Sequence, residues 1–159
     1  MAQRGGSVQS HVRLGEDVYG PLIPDGRSDV VLSLEPAEAL RVSRYVGKRT
    51  TIITNTSPYL PISVLLKETT YPKIEQITSI LHRLGGRVYP IDAMELAKKA
   101  GSSRGLNIVV LGAYMSLGEP VLTPDAIKEA MASSLPGRYL GQNIRALKLG
   151  MDKMKELIS

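Results

Sequence analysis

Gln3-Arg4-Gly5-Gly6-Ser7 is the run of this chain with the best claim to chemistry. Paired glycines let backbone amides come close to a ligand, and the flanking Arg4 and Ser7 offer a guanidinium and a hydroxyl to phosphate or carboxylate oxygens. The same residues also suit a tight turn leading into a strand, and both readings stay open on residue types alone. His11 and Arg13 follow at i and i+2. If the chain is extended there they share one face, where they would meet an anion together, or would face solvent or a subunit. Elsewhere the candidates thin out. Neither GxxxxGK[ST] nor GxGxxG occurs. Glu16-Asp17 and Asp25-Gly26 lack a second ligand at useful spacing and read as surface turns. Ser102-Ser103 sits in a glycine loop with no histidine–acid pair nearby, so nucleophilic serine chemistry is unsupported. His82 falls at the boundary of an amphipathic helix, a structural position.

Cysteine is absent, which excludes disulfides, a thiolate nucleophile and an iron–sulfur cluster held in the usual way by four cysteines. Two distant histidines make a metal site in this chain an unfavoured expectation. With 159 residues, 43% hydrophobic and 22% charged, the chain is expected to be one globular domain over residues 1–159. No apolar run is long enough to span a bilayer, and Arg4 with two glycines does not resemble a signal peptide. The expectation is a cytoplasmic protein with no membrane contact. A net charge of +5 suits an anionic cofactor or an acidic partner subunit. Scattered tyrosines without Trp or Phe do not form the basic–aromatic stripe of a nucleic-acid binder.

The elements that must position these residues follow from periodicity. Residues 7–14 alternate, with Val8, Ser10, Val12 and Leu14 opposite Gln9, His11 and Arg13, which predicts a strand with one buried face. Residues 15–28 are rich in glycine and proline and read as loop, with a short strand around Val18 and Tyr19. Residues 29–34, 50–54 and 87–91 read as strands, and Pro90 places the last at an edge or strand end. Helices are expected from Pro36, over 72–84, 93–100, 107–117, 123–134 and 139–158, while Pro58 and Pro61 keep the chain between irregular. Strand, helix and strand with short connections is the βαβ signature, so the class is α/β with a mainly parallel sheet.

Two segments, residues 1–16 (MAQRGGSVQSHVRLGE) and residues 18–41 (VYGPLIPDGRSDVVLSLEPAEALR), carry a resemblance, joined by residues 54–56 (TNT), 107–113 (NIVVLGA) and 142–150 (QNIRALKLG). Together they resemble the gamma-type small subunits of the 2-oxoacid:ferredoxin oxidoreductase family, in its indolepyruvate branch. The resemblance implies a three-layer α/β/α sandwich, short of the family's first βα unit, which carries a GxGGQG turn. It also implies oxidative cleavage of a 2-oxo acid to acyl-CoA and carbon dioxide with reduction of ferredoxin. Thiamine diphosphate, magnesium and [4Fe–4S] clusters would reside on a large partner subunit. Coenzyme A would be the co-substrate, and this chain would bind no cofactor itself. By the same resemblance Gln3, Arg4, Gly5, Gly6, Ser7, His11 and Arg13 would face the partner, near the route of CoA or substrate. Asn55, Asn107 and Asn143 match family segments, with capping and turn hydrogen bonding as their favoured role. A missing first unit would leave an open, apolar sheet edge, with a homodimer or partner binding as the expected compensation. A stand-alone CoA- or nucleotide-binding module and an inert assembly domain are the other two readings.

Overall fold

The computed structural model describes residues 7–60, 62–118 and 122–159. Three parallel strands, β1 (Val30–Ser33), β2 (Thr51–Asn55) and β3 (Arg87–Ile91), lie side by side in chain order. Leu32 pairs beside Ile53, and Ile53 beside Tyr89. Parallel neighbours need a crossover between them. Here the crossovers contain α1 (Pro36–Arg41), a one-turn α2 (Ile62–Leu65) and α3 (Ile74–Arg83). The α2 turn corrects the expectation of irregular chain after Pro58.

Central β2 is buried along its whole length, and its neighbouring side chains divide the protein into two cores. Ile52 points to one face, where Val31 and Val88 meet Ala39 of α1 and Ile77 and Leu81 of α3. Ile53 points to the other, where Ile91 meets α4 (Ala93–Ala100), α5 (Leu106–Met115) and α7 (Gly137–Ile158). Helices thus cover both faces of the sheet, giving the three layers expected. The eleven-residue α6 (Pro124–Ser134) is capped by the Thr123 hydroxyl and packs against α7.

The sheet's second face is closed by a crossing of unusually small separation. A Cβ on Gly112 would stand 2.1 Å from the Leu147 carbonyl oxygen, and one on Gly150 would stand 2.0 Å from that of Val109. Glycines on both helices therefore let backbone meet backbone, and Ser116 Oγ adds a hydrogen bond to the Met151 carbonyl at 3.0 Å. Among the described residues β3 pairs only with β2, in keeping with Pro90 at an edge or strand end. The outer edge of β1 carries no strand among the described residues, and Leu32 and Leu34 beside it are roughly half exposed.

Residues 7–14 do not form the expected strand, and neither do Val18 and Tyr19. The alternation is present, but no described strand pairs with the segment, so its backbone joins no ladder and no face is buried. Val8 is 78% exposed and Tyr19 91%. Residues 7–24 instead form an arm laid along α1 and the following 3₁₀ turn (Ser43–Tyr45) and held by side chains. Ser7 Oγ donates to the Glu38 carboxylate, and Gln9 Nε2 donates to the Tyr45 hydroxyl at 3.1 Å.

Candidate functional site

In open α/β sheets ligands bind outside the carboxyl ends of the strands, where the crossover loops begin. Here that edge is organised by Asn55, the last residue of β2. Its Nδ2 donates to the Leu34 carbonyl at 3.1 Å and to the Ser57 carbonyl at 2.9 Å, and its Oδ1 accepts from Ala93 N at 3.1 Å. One buried amide therefore ties together the chain leaving all three strands. Asp92 extends the network: Oδ1 accepts from Glu95 N at 2.9 Å, capping α4, and from Ser57 Oγ at 3.1 Å.

Beside this junction the Glu35 carboxylate caps α1, accepting from Glu38 N at 3.1 Å. Its other oxygen accepts from the Tyr71 hydroxyl, which itself accepts from Ala37 N at 3.1 Å. Burial, and then the hydrogen bond to Glu35, push the Tyr71 phenol well above its ordinary range, so it stays a protonated donor. Pro36, Thr56, Pro58, Tyr71 and Ile74 line a shallow cleft of about 370 Å³ at this point. The arrangement offers a polar, preorganised rim, to which Lys73 and Glu75 add a cation and a carboxylate.

A second cleft, of about 430 Å³, lies at the far end of α4, where Gly101 ends the helix in a left-handed conformation. Arg104, Asn107, Tyr139 and Gln142 line it. Asn107 therefore belongs to the opposite end of the fold from Asn55. Asn143 donates back to the Tyr139 carbonyl at 2.8 Å, a bond within α7.

Gln3, Arg4, Gly5 and Gly6 lie outside the described residues. His11 and Arg13 lie inside them and are turned toward their own chain. His11 Nδ1 accepts from Ile23 N at 3.2 Å, and its ring meets Tyr45 edge-on at 4.9 Å. Arg13 Nη1 donates to the Gly20 and Leu22 carbonyls at 2.7 and 3.3 Å. Both side chains close the arm into a loop rather than meeting at an anion site. Glu35 and Tyr71 escaped the reading of the sequence because 36 residues separate them and no local pattern couples them. Asn55, by contrast, stands in the polar turn that follows β2.

Among the described residues no three His, Asp or Glu side chains converge to hold a metal ion, and no helix is long and apolar enough to cross a membrane. Without cysteine anywhere in the chain, its donor set does not fit an iron–sulfur cluster.

A three-stranded parallel sheet with helices on both faces and a tied carboxyl edge defines an α/β/α domain. Residues 1–153 match the pyruvate ferredoxin/flavodoxin oxidoreductase family, and the chain belongs to it. Indolepyruvate oxidoreductase subunit IorB of Archaeoglobus fulgidus is 40% identical over 153 residues, spanning 96% of this chain and 76% of that protein. Its namesake in Thermococcus kodakarensis is 39% identical, spanning 99% and 79%. The fold is that of the gamma subunit of a keto/oxoacid ferredoxin oxidoreductase from Geobacter sulfurreducens, with a TM-score of 0.58 at 20% identity, covering 80% of this chain and 64% of that one.

Proposed function

We propose that this chain is a single-domain, cytoplasmic small subunit of a thiamine-dependent 2-oxoacid:ferredoxin oxidoreductase acting on indolepyruvate or a related aryl pyruvate. The observation that carries this reading is the resemblance to indolepyruvate oxidoreductase subunits along nearly the whole chain. In the reaction the bond between the carboxylate and the oxo carbon breaks to release carbon dioxide. A thioester forms with coenzyme A, and two electrons pass singly to ferredoxin. Thiamine diphosphate, magnesium and [4Fe–4S] clusters belong to the large partner subunit, where they supply the electron sink and relay. This chain has no thiolate to hold the clusters, which agrees with that division of labour.

The chain's own contribution is positional. The arm that begins at Ser7 meets the partner: His11 and Arg13 shape it from within, and Val8, Val12 and Leu14 stand outward from it to be covered. Asn55, Glu35 and Tyr71 fix the loops at the carboxyl edge, beside the approach of CoA or substrate. Co-expression with the large subunit tests this, assayed as CoA-dependent reduction of a viologen dye by indolepyruvate. Turnover that requires both chains is the expected result. A large subunit equally active alone, or one that does not associate, would overturn the assignment.

A stand-alone CoA- or nucleotide-binding module is the second reading, favoured by the cleft around Arg104, Asn107 and Gln142. Micromolar binding of CoA to the isolated chain would support it over the first.

A further inference from the structure

The amino end of the sheet, opposite the tied edge, gathers positive charge. Thr50 is its buried centre: the hydroxyl donates to the Ser28 carbonyl at 2.6 Å, and the Thr50 carbonyl accepts from Arg87 N at 2.8 Å. Arg27 precedes Ser28 and Arg49 precedes Thr50, so three arginines emerge around one residue. Lys48 joins them, because its backbone packs so closely on Gly85 that a Cβ there would come within 3.2 Å of the Lys48 Cα. Arg83, at the end of α3, completes the group. All five side chains are exposed, and among the described residues none makes an ion pair, the bridges lying at other cations. Asp29, also exposed, is the carboxylate that interrupts them.

We propose that this edge is an electrostatic docking surface for a small acidic one-electron carrier protein. The inference rests on the reading above, that the chain works in a ferredoxin-reducing complex. A permanent subunit interface has an apolar core from which charge is depleted. Here Leu84 stands exposed beside Arg83, among five exposed cations and the Asp29 carboxylate. Unpaired cations of one sign are what a transient, steered encounter with an anionic surface uses. Nucleic acid is the poorer match. Single-strand binding adds aromatic platforms, and Tyr45, whose carbonyl accepts from Ser28 N at this edge, is buried.

Binding of an acidic ferredoxin to the immobilised full chain tests the proposal, with Arg49→Glu/Arg87→Glu and Arg49→Lys/Arg87→Lys as variants. Wild type should bind at about 20 mM salt and weaken at least about tenfold at about 500 mM. The glutamate pair should bind at least about tenfold more weakly at low salt, with little further salt dependence, and the lysine pair should retain binding. A glutamate pair that binds like wild type would overturn the proposal, as would a single-stranded RNA that binds as tightly as the carrier. Viologen turnover by the assembled complex is read alongside. Its absence in wild type would overturn the functional assignment and leave the carrier measurement standing, so the two failures are distinguishable.

Discussion

Every hydrogen-bonding position of the Asn55 amide that faces the protein is matched, two donors to carbonyls and one acceptor to an amide. Only an amide side chain supplies both polarities in this planar form, which is why the end of a buried strand can turn three ways at once. Truncation in Asn55→Ala strands those partners at a site where Asn55 itself is 1% exposed. A loss of roughly 2–4 kcal/mol in unfolding free energy follows, since buried unsatisfied groups cost about 1–3 kcal/mol each and Leu34 and Ser57 retain some access to water. Urea unfolding measures it, and a variant within about 0.5 kcal/mol of wild type would show that the clamp is idle. Tyr71 makes a prediction of different sign structure. Its phenol is held above the ordinary value of 10, so its stabilising contribution is present below that pH and lost as the pH climbs toward the raised value. The urea midpoint should therefore fall between pH 8 and about 10.5 more in wild type than in Tyr71→Phe, which lacks the titrating group. Equal falls would remove the coupling to Glu35 from the account.

At the scale of elements, what could be read from the sequence was whatever local periodicity encodes. β1, β2 and β3 are short apolar runs, and α3 carries its Ile77 and Leu81 stripe at helical spacing, so their places followed without the structure. The boundaries moved where a tertiary feature intervened. The helix from Pro36 ends at Arg41 and tightens into a 3₁₀ turn, whose Tyr45 is buried and receives His11 edge-on. The arm misled for a physical reason: alternation reports an extended backbone, and only a neighbouring ladder makes such a backbone a strand. Gly112 and Gly150 were equally silent. Glycine in a helix pattern reads as a weakness, and that these two are the contact surface of α5 with α7 emerges only when both helices are placed. The candidate site divides the same way. The turn at Asn55 was visible, while the Glu35–Tyr71 bond, made across 36 residues, was not.

On the whole molecule the arm and the amino edge of the sheet differ in kind, and the difference assigns them different work. Around the arm Val12 is 72% and Leu14 61% exposed, beside Val8, Tyr19 and Leu22, an apolar set that water penalises and a lasting partner would cover. The amino edge of the sheet instead gathers five exposed cations around the exposed Leu84. Substituting Val12→Asp/Leu14→Asp should therefore leave the isolated chain nearly as stable as before, because exposed positions usually change unfolding free energy by no more than about 0.5 kcal/mol. The same pair should abolish co-purification with the large subunit, since it places two carboxylates in the apolar centre of that interface. Arg49→Glu/Arg87→Glu should do the reverse, preserving assembly while weakening the carrier encounter. A single experiment, pull-down of the large subunit by each variant alongside a thermal melt of each chain, reads both. If the arm variant assembles normally, the partner lies elsewhere; if its melting temperature collapses, the arm is part of this chain's own core. Loss of assembly in the edge variant would instead join the two surfaces into one continuous interface and remove the separate carrier role.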